Sequence, residues 1–135
     1  MRSERLSHRE RIRLAAEIVA AFVQARRELR RAPIAEVVAT LRSESPKPAA
    51  TDHTLEEAWR LGNAVARTLT FVPGDTRCLA RSLVLTRLLA RRGIAAKLVI
   101  GARPAPEFLA HAWVEYDGDP VLDPGDGSFG RLVEL

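Results

Sequence analysis

Apolar residues recur at helical spacing through the first two-thirds of the chain. Leu14, Ile18, Phe22, Ala25 and Leu29 fall three or four residues apart, and Ser7 followed by Glu10 has the form of a capping box. Together they predict a helix over about 7–31. Pro33 suits the first turn of a second helix, whose stripe of Ile34, Val37, Val38 and Leu41 carries it to about Arg42. The stretch 43–53 holds two prolines and no periodicity, which predicts a loop or hinge. Thr54 and Glu57 form a second capping-box pair ahead of Leu55, Ala58, Trp59, Leu61, Val65 and Leu69, predicting a third helix. After the turn signal at 71–75, Leu79, Leu83, Leu85, Leu88 and Leu89 give a wide apolar face. They predict a helix over about 76–92 that ends at Gly93.

Beyond Gly93 the period changes. The runs AAKLVIGAR, FLAHAWVEY and PVLD are short and rich in β-formers, separated by Pro104, Pro106 and the Asp117-Gly118 pair. They predict three strands of a small antiparallel sheet, with a fourth at about Arg131 to Leu135. The fold class is therefore α+β, with a helical N-terminal half followed by a helix packed on the sheet.

At 135 residues and 14.9 kDa the chain is one domain's worth. Its single cysteine, Cys78, excludes an internal disulfide and a Cys-rich zinc site, as suits a reducing compartment. The net charge of +4 is unevenly placed. Residues 1–31 contain nine Arg and four Glu, whereas residues 32–135 carry twelve basic and thirteen acidic side chains, so the basicity belongs to the first helix. The stretch Ile18 to Ala25 is the longest uncharged run there, too short for a membrane span or a good signal peptide, and a cytoplasmic protein is expected.

A lone cysteine is most often a small buried hydrophobe, but Cys78 is placed in the first turn of a predicted helix. Unpaired N–H groups, the positive end of the helix dipole and the nearby Arg77 and Arg81 all favour a thiolate there. A nucleophile needs a base, and His111 is the candidate, with small alanines on either side in Ala110-His111-Ala112-Trp113-Val114-Glu115. Strand alternation puts His111, Trp113 and Glu115 on one face and Ala112 and Val114 on the other. His8 and His53, in a charged helix start and a polar loop, are expected to be solvent-exposed. Trp113 is read equally as lining the cleft or as plain core.

A carboxylate should orient the imidazole, and the choice depends on hairpin register. If Tyr116-Asp117-Gly118 form a three-residue loop, Asp123 falls opposite His111 on the same face; a two-residue Asp117-Gly118 turn pairs it with Ala112 instead. Asp117, Asp119 and Asp126 read as turn or solvent residues. A Cys, His, Asp order with the nucleophile on a helix and the partners on adjacent strands describes a papain-like or transglutaminase-like site. No metal cluster or phosphate-binding glycine loop is visible, so no cofactor and no metal are expected.

The run Cys78-Leu79-Ala80-Arg81-Ser82-Leu83, then Leu88 to Ile94, Leu98 to Gly101, Ala110 to Glu115 and Asp123 closely resembles the transglutaminase-like leader peptidases of lasso-peptide biosynthesis. The resemblance is dense over 78–123 and weak before about Leu55. It implies a cysteine peptidase that cuts the leader from a ribosomally made precursor peptide, after which a lasso cyclase joins the new N-terminus to an acidic side chain. It also implies Cys78 as nucleophile, His111 as base and then acid, and Asp123 as the orienting carboxylate. Longer relatives carry a leader-recognition domain ahead of the protease part. Here the first half reads as helices alone, so the stand-alone form is expected, a single domain over 1–135 with a helical part at 1–53 and the catalytic core at 54–135. A separately encoded leader-recognition protein is then the expected partner, with no nucleic acid.

Two other classes fit parts of the pattern. The same triad serves acyl transfer to amines, as in transglutaminases and arylamine acetyltransferases. A non-enzymatic module using its basic helix on nucleic acid would leave the Cys, His and Asp order unexplained.

Overall fold

A computed structural model of the chain describes residues 7–43, 54–70, 78–94, 96–103, 109–122 and 130–135. Four helices, α1 (His8–Arg31), α2 (Ile34–Ser43), α3 (Thr54–Thr70) and α4 (Cys78–Arg91), precede four strands, β1 (Lys97–Arg103), β2 (Leu109–Tyr116), β3 (Asp119–Pro120) and β4 (Gly130–Glu134). The strands form one sheet in the order β3-β2-β1-β4, with every neighbouring pair antiparallel. The α+β class expected from the periodicities is the one observed.

The first helix starts where its capping box requires. The Ser7 hydroxyl accepts from the Glu10 N–H at 3.2 Å, and the Glu10 carboxylate accepts from the Ser7 N–H at 2.7 Å. Those bonds to Ser7 hold the Glu10 carboxyl below its usual range. Pro33 stands just ahead of α2, its carbonyl accepting from the Val37 N–H at 3.1 Å, one position earlier than the sequence suggests. The third helix begins at Thr54 as expected; Ser43, the first residue of the expected 43–53 loop, instead closes α2, and the rest of that loop with His53, the turn at 71–75 and the Thr54 side chain lie outside the described residues.

Helix α4 is the centre of the molecule and packs on α1, α2, α3, β1 and β2. Leu83, Val84, Leu85, Leu88 and Leu89 are all fully buried, because neighbours surround the helix. Leu85, Leu88 and Leu89 join Ile18 and Phe22 of α1, Leu61, Val65 and Leu69 of α3, and Val114 of β2 in one cluster. Leu83 joins a second one with Ala25, Val37, Val38 and Leu98. The helix ends in a Schellman motif: Gly93, at φ 73°, donates to the Ala90 carbonyl at 3.0 Å, and Ile94 donates to Leu89 at 2.9 Å. Arg92 then binds both carboxylate oxygens of Glu17 at 3.0 and 3.1 Å, tying the end of α4 to α1.

The β2–β3 hairpin decides between the two registers left open by the sequence. Glu115 pairs with Pro120 and Tyr116 with Asp119, leaving a two-residue Asp117-Gly118 turn. Both turn residues have positive φ, 50° and 83°, the type I′ geometry that matches strand twist. The three-residue loop that would set Asp123 opposite His111 is thus overturned. Asp tolerates the left-handed conformation well enough for the tighter turn to form. The expected strand PVLD also shortens to Asp119–Pro120, followed by a bend at 121–122. The fourth strand forms one residue earlier than expected, at Gly130–Glu134.

Candidate active site

Of the residues singled out in the sequence, Cys78 is the first described residue of α4, and His111 sits in β2, the strand against which α4 packs. Asp123 and Asp126 lie outside the described residues, as does Arg77. Val121 donates to the Val114 carbonyl at 2.9 Å, one step past β3 in the register of the two-residue turn, and the resemblance alone supports Asp123 as the orienting carboxylate.

The faces of β2 divide as alternation requires. Val114 is fully buried against the α4 cluster, and Ala112 shares its side. On the other face His111 is half-buried and stacks on the indole of Trp113, ring centroids 5.9 Å apart and planes 25° from parallel. Trp113 is only 4% exposed and gives its indole N–H to a Glu115 carboxylate oxygen at 2.7 Å. Glu115 is itself buried, and Nη2 of Arg131 meets its two oxygens at 2.8 and 2.7 Å. Arg131 also binds Glu134 at 2.7 Å, so its guanidinium is held above its ordinary range, first by Glu115 and then by Glu134. Glu134 is correspondingly held below the usual carboxylate range, chiefly by its bond to Arg131 and then by Lys97.

Gly101 makes this assembly possible. It pairs with His111 on one side and Arg131 on the other, occupying the middle of a three-strand row. A Cβ there would come within 2.8 Å of the indole ring and 2.9 Å of the Gly130 carbonyl oxygen. The missing side chain is the space in which the Trp113 ring lies, and the β1–β4 register shifts between Ile100 and Gly101. The alternation of Trp113 and Glu115 was legible in the sequence. Arg131 was not singled out, because its place beside Glu115 depends on a β4 register that no local signal fixes.

Helix α1 presents its own feature away from the core. Ile12, Ala16, Val19 and Val23 recur every three or four residues on its outer side, with Ile12 58%, Val19 38% and Val23 42% exposed. Arg9, Arg13, Arg27 and Arg30 are exposed along the same helix, while Glu10 and Glu17 are engaged with Ser7 and Arg92. Among the described residues no three His, Cys, Asp or Glu side chains cluster to hold a metal ion, and no helix is long and apolar enough to cross a membrane.

Over 46 residues, 34% of this chain, the sequence is 48% identical to the microcin J25-processing protein McjB of Escherichia coli. The matched part spans only 22% of that relative's length. No solved structure matches the chain. A family profile described as the transglutaminase-like superfamily matches residues 3–134, a span that takes in the α1–α3 bundle as well as the α4 and β2 elements bearing Cys78 and His111. With nearly the whole chain covered, the protein belongs to the transglutaminase-like superfamily.

Proposed function

We propose that this protein is a cysteine peptidase that removes the leader from a lasso-peptide precursor, with Cys78 as nucleophile, His111 as base and then acid, and Asp123 as the carboxylate that orients the imidazole. The observation that carries the reading is the superfamily match over residues 3–134 together with the local likeness to a microcin-processing protein; the structure puts Cys78 at the start of α4 and His111 on the face of β2 opposite Val114, which α4 covers.

In this mechanism the Cys78 sulfur attacks the scissile carbonyl carbon as its proton passes to His111. Backbone N–H groups at the start of α4 face the oxyanion. The carbon–nitrogen bond breaks as the imidazolium protonates the leaving amine, which departs as the N-terminus of the core peptide. Water, giving a proton to His111, then attacks the thioester; the carbon–sulfur bond breaks, the leader leaves as a carboxylic acid and the thiol is restored. Asp123 holds the imidazole in place and steadies its charged form without taking the proton.

The precursor peptide is the substrate, and a separately encoded leader-recognition protein is the partner that delivers it. Its proposed docking face is the outer side of α1, where exposed Ile12, Val19 and Val23 lie among arginines and offer apolar contact with charge selection for an acidic surface. The lasso cyclase acts on the product. Mass spectrometry of the precursor after incubation with the protein tests the reading. A leader released as the free acid, even with amine acceptors present, supports a peptidase; a leader recovered as its amide would mark an acyltransferase instead.

A further inference from the structure

The imidazole of His111 stacks on an aromatic neighbour that is fixed at both ends. The indole of Trp113 stacks on His111 at 5.9 Å, lies in the gap above Gly101, and is bonded through its N–H to Glu115 at 2.7 Å. Glu115 is secured in turn by Arg131 of β4, the strand-pair partner of Gly101, whose Nη2 meets both carboxylate oxygens. Three strands therefore converge on the orientation of one ring. A buried carboxylate is costly unless its partners are well placed, and Glu115 has two, the indole N–H and the guanidinium. Glu115 is thus the point at which the strand carrying His111 is tied to β4.

We propose that Trp113, held by Glu115 and Arg131, is a positioning residue that fixes the plane and reach of the His111 ring. This rests on the reading of His111 as the catalytic base. A stacked indole resists tilting of the imidazole about its Cβ–Cγ bond, and the Glu115 bond keeps the indole from turning with it. Proton transfer needs heavy atoms within hydrogen-bond reach, so a loose ring costs turnover more than it costs substrate affinity. Gly101 belongs to the same device, since any side chain there would displace the indole.

The test combines two readouts on the full chain. Nuclear magnetic resonance of the His111 ring protons reports the stack directly, because an indole face shifts them upfield. Steady-state cleavage of the precursor separates kcat from KM. Trp113→Leu is expected to lose the upfield shift and to lower kcat by about 100-fold with KM little changed, while Trp113→Phe, which keeps a stacking ring, recovers part of both. Trp113 is buried, and where Trp113→Leu does not fold, Arg131→Gln at a half-exposed position carries the test: it is expected to move the His111 resonances and lower kcat in the same direction. A kcat unchanged in Arg131→Gln and Trp113→Phe despite moved His111 resonances would overturn the positioning role. Full activity in His111→Ala would instead overturn the reading on which it rests.

Discussion

Val121 donates its backbone N–H to the Val114 carbonyl at 2.9 Å, and that bond carries the two-residue turn's register one step past β3. Asp123 lies outside the described residues, and its proposed role rests on the family resemblance. Replacing Asp123 with Asn is expected to lower precursor cleavage well below wild type while leaving the circular dichroism spectrum unchanged. Asp126→Asn should cleave normally. The reverse pattern would move the orienting carboxylate to Asp126.

Val121 is held from the other side by α3. A Cβ on Gly62 would sit on the Val121 carbonyl oxygen, so the helix can approach this strand end only at a glycine. Gly62→Ala must push α3 and the 121–122 bend apart, because backbone cannot turn aside as a flexible side chain can. Overpacking of this kind costs about 1–3 kcal/mol, measurable as a lower midpoint in urea unfolding. Gly118→Ala, where a Cβ meets nothing within 4 Å but φ is 83°, should cost less and only through backbone strain.

These two contacts show where the sequence was legible and where it stopped being so. Capping at Ser7 and Glu10, termination at Gly93 and the face shared by His111, Trp113 and Glu115 depend on residues close together in the chain, and pattern exposes them. The choice of turn at Asp117-Gly118 was balanced on whether an aspartate would take positive φ, which composition does not settle. Gly62 against Val121 and Arg131 against Glu115 join residues far apart, and their partners emerge only when the chain has folded.

Acid should weaken the fold through two exposed glutamates. Glu10 and Glu134 have pKa values lowered by bonds from Ser7 and Arg131, so each favours the native state at a pH above its unfolded value. That contribution is lost as pH falls below about 4.3 and through the lower native values. Thermal midpoints should decline across this interval, and Glu10→Gln, which removes one titration, should flatten the decline. An identical slope in Glu10→Gln would exclude the capping box as a source of it.

The outer face of α1 gives a prediction about delivery. The separately encoded leader-recognition protein should speed precursor cleavage strongly, since a partner that holds the leader raises local substrate concentration into the millimolar range. Changing Arg26, Arg27, Arg30 and Arg31 to Gln should reduce that stimulation and its sensitivity to salt, leaving the unassisted rate unchanged. Val19→Glu with Val23→Glu should abolish it. Stimulation undiminished in both variants would place the docking face elsewhere.

Every step of the proposed chemistry begins at the Cys78 sulfur, and the most direct measurement compares precursor cleavage by the wild-type chain and by Cys78→Ala, followed by mass spectrometry under conditions where both are folded. The prediction is a free leader acid with the wild-type protein and intact precursor with Cys78→Ala. Leader release by Cys78→Ala at the wild-type rate would contradict it.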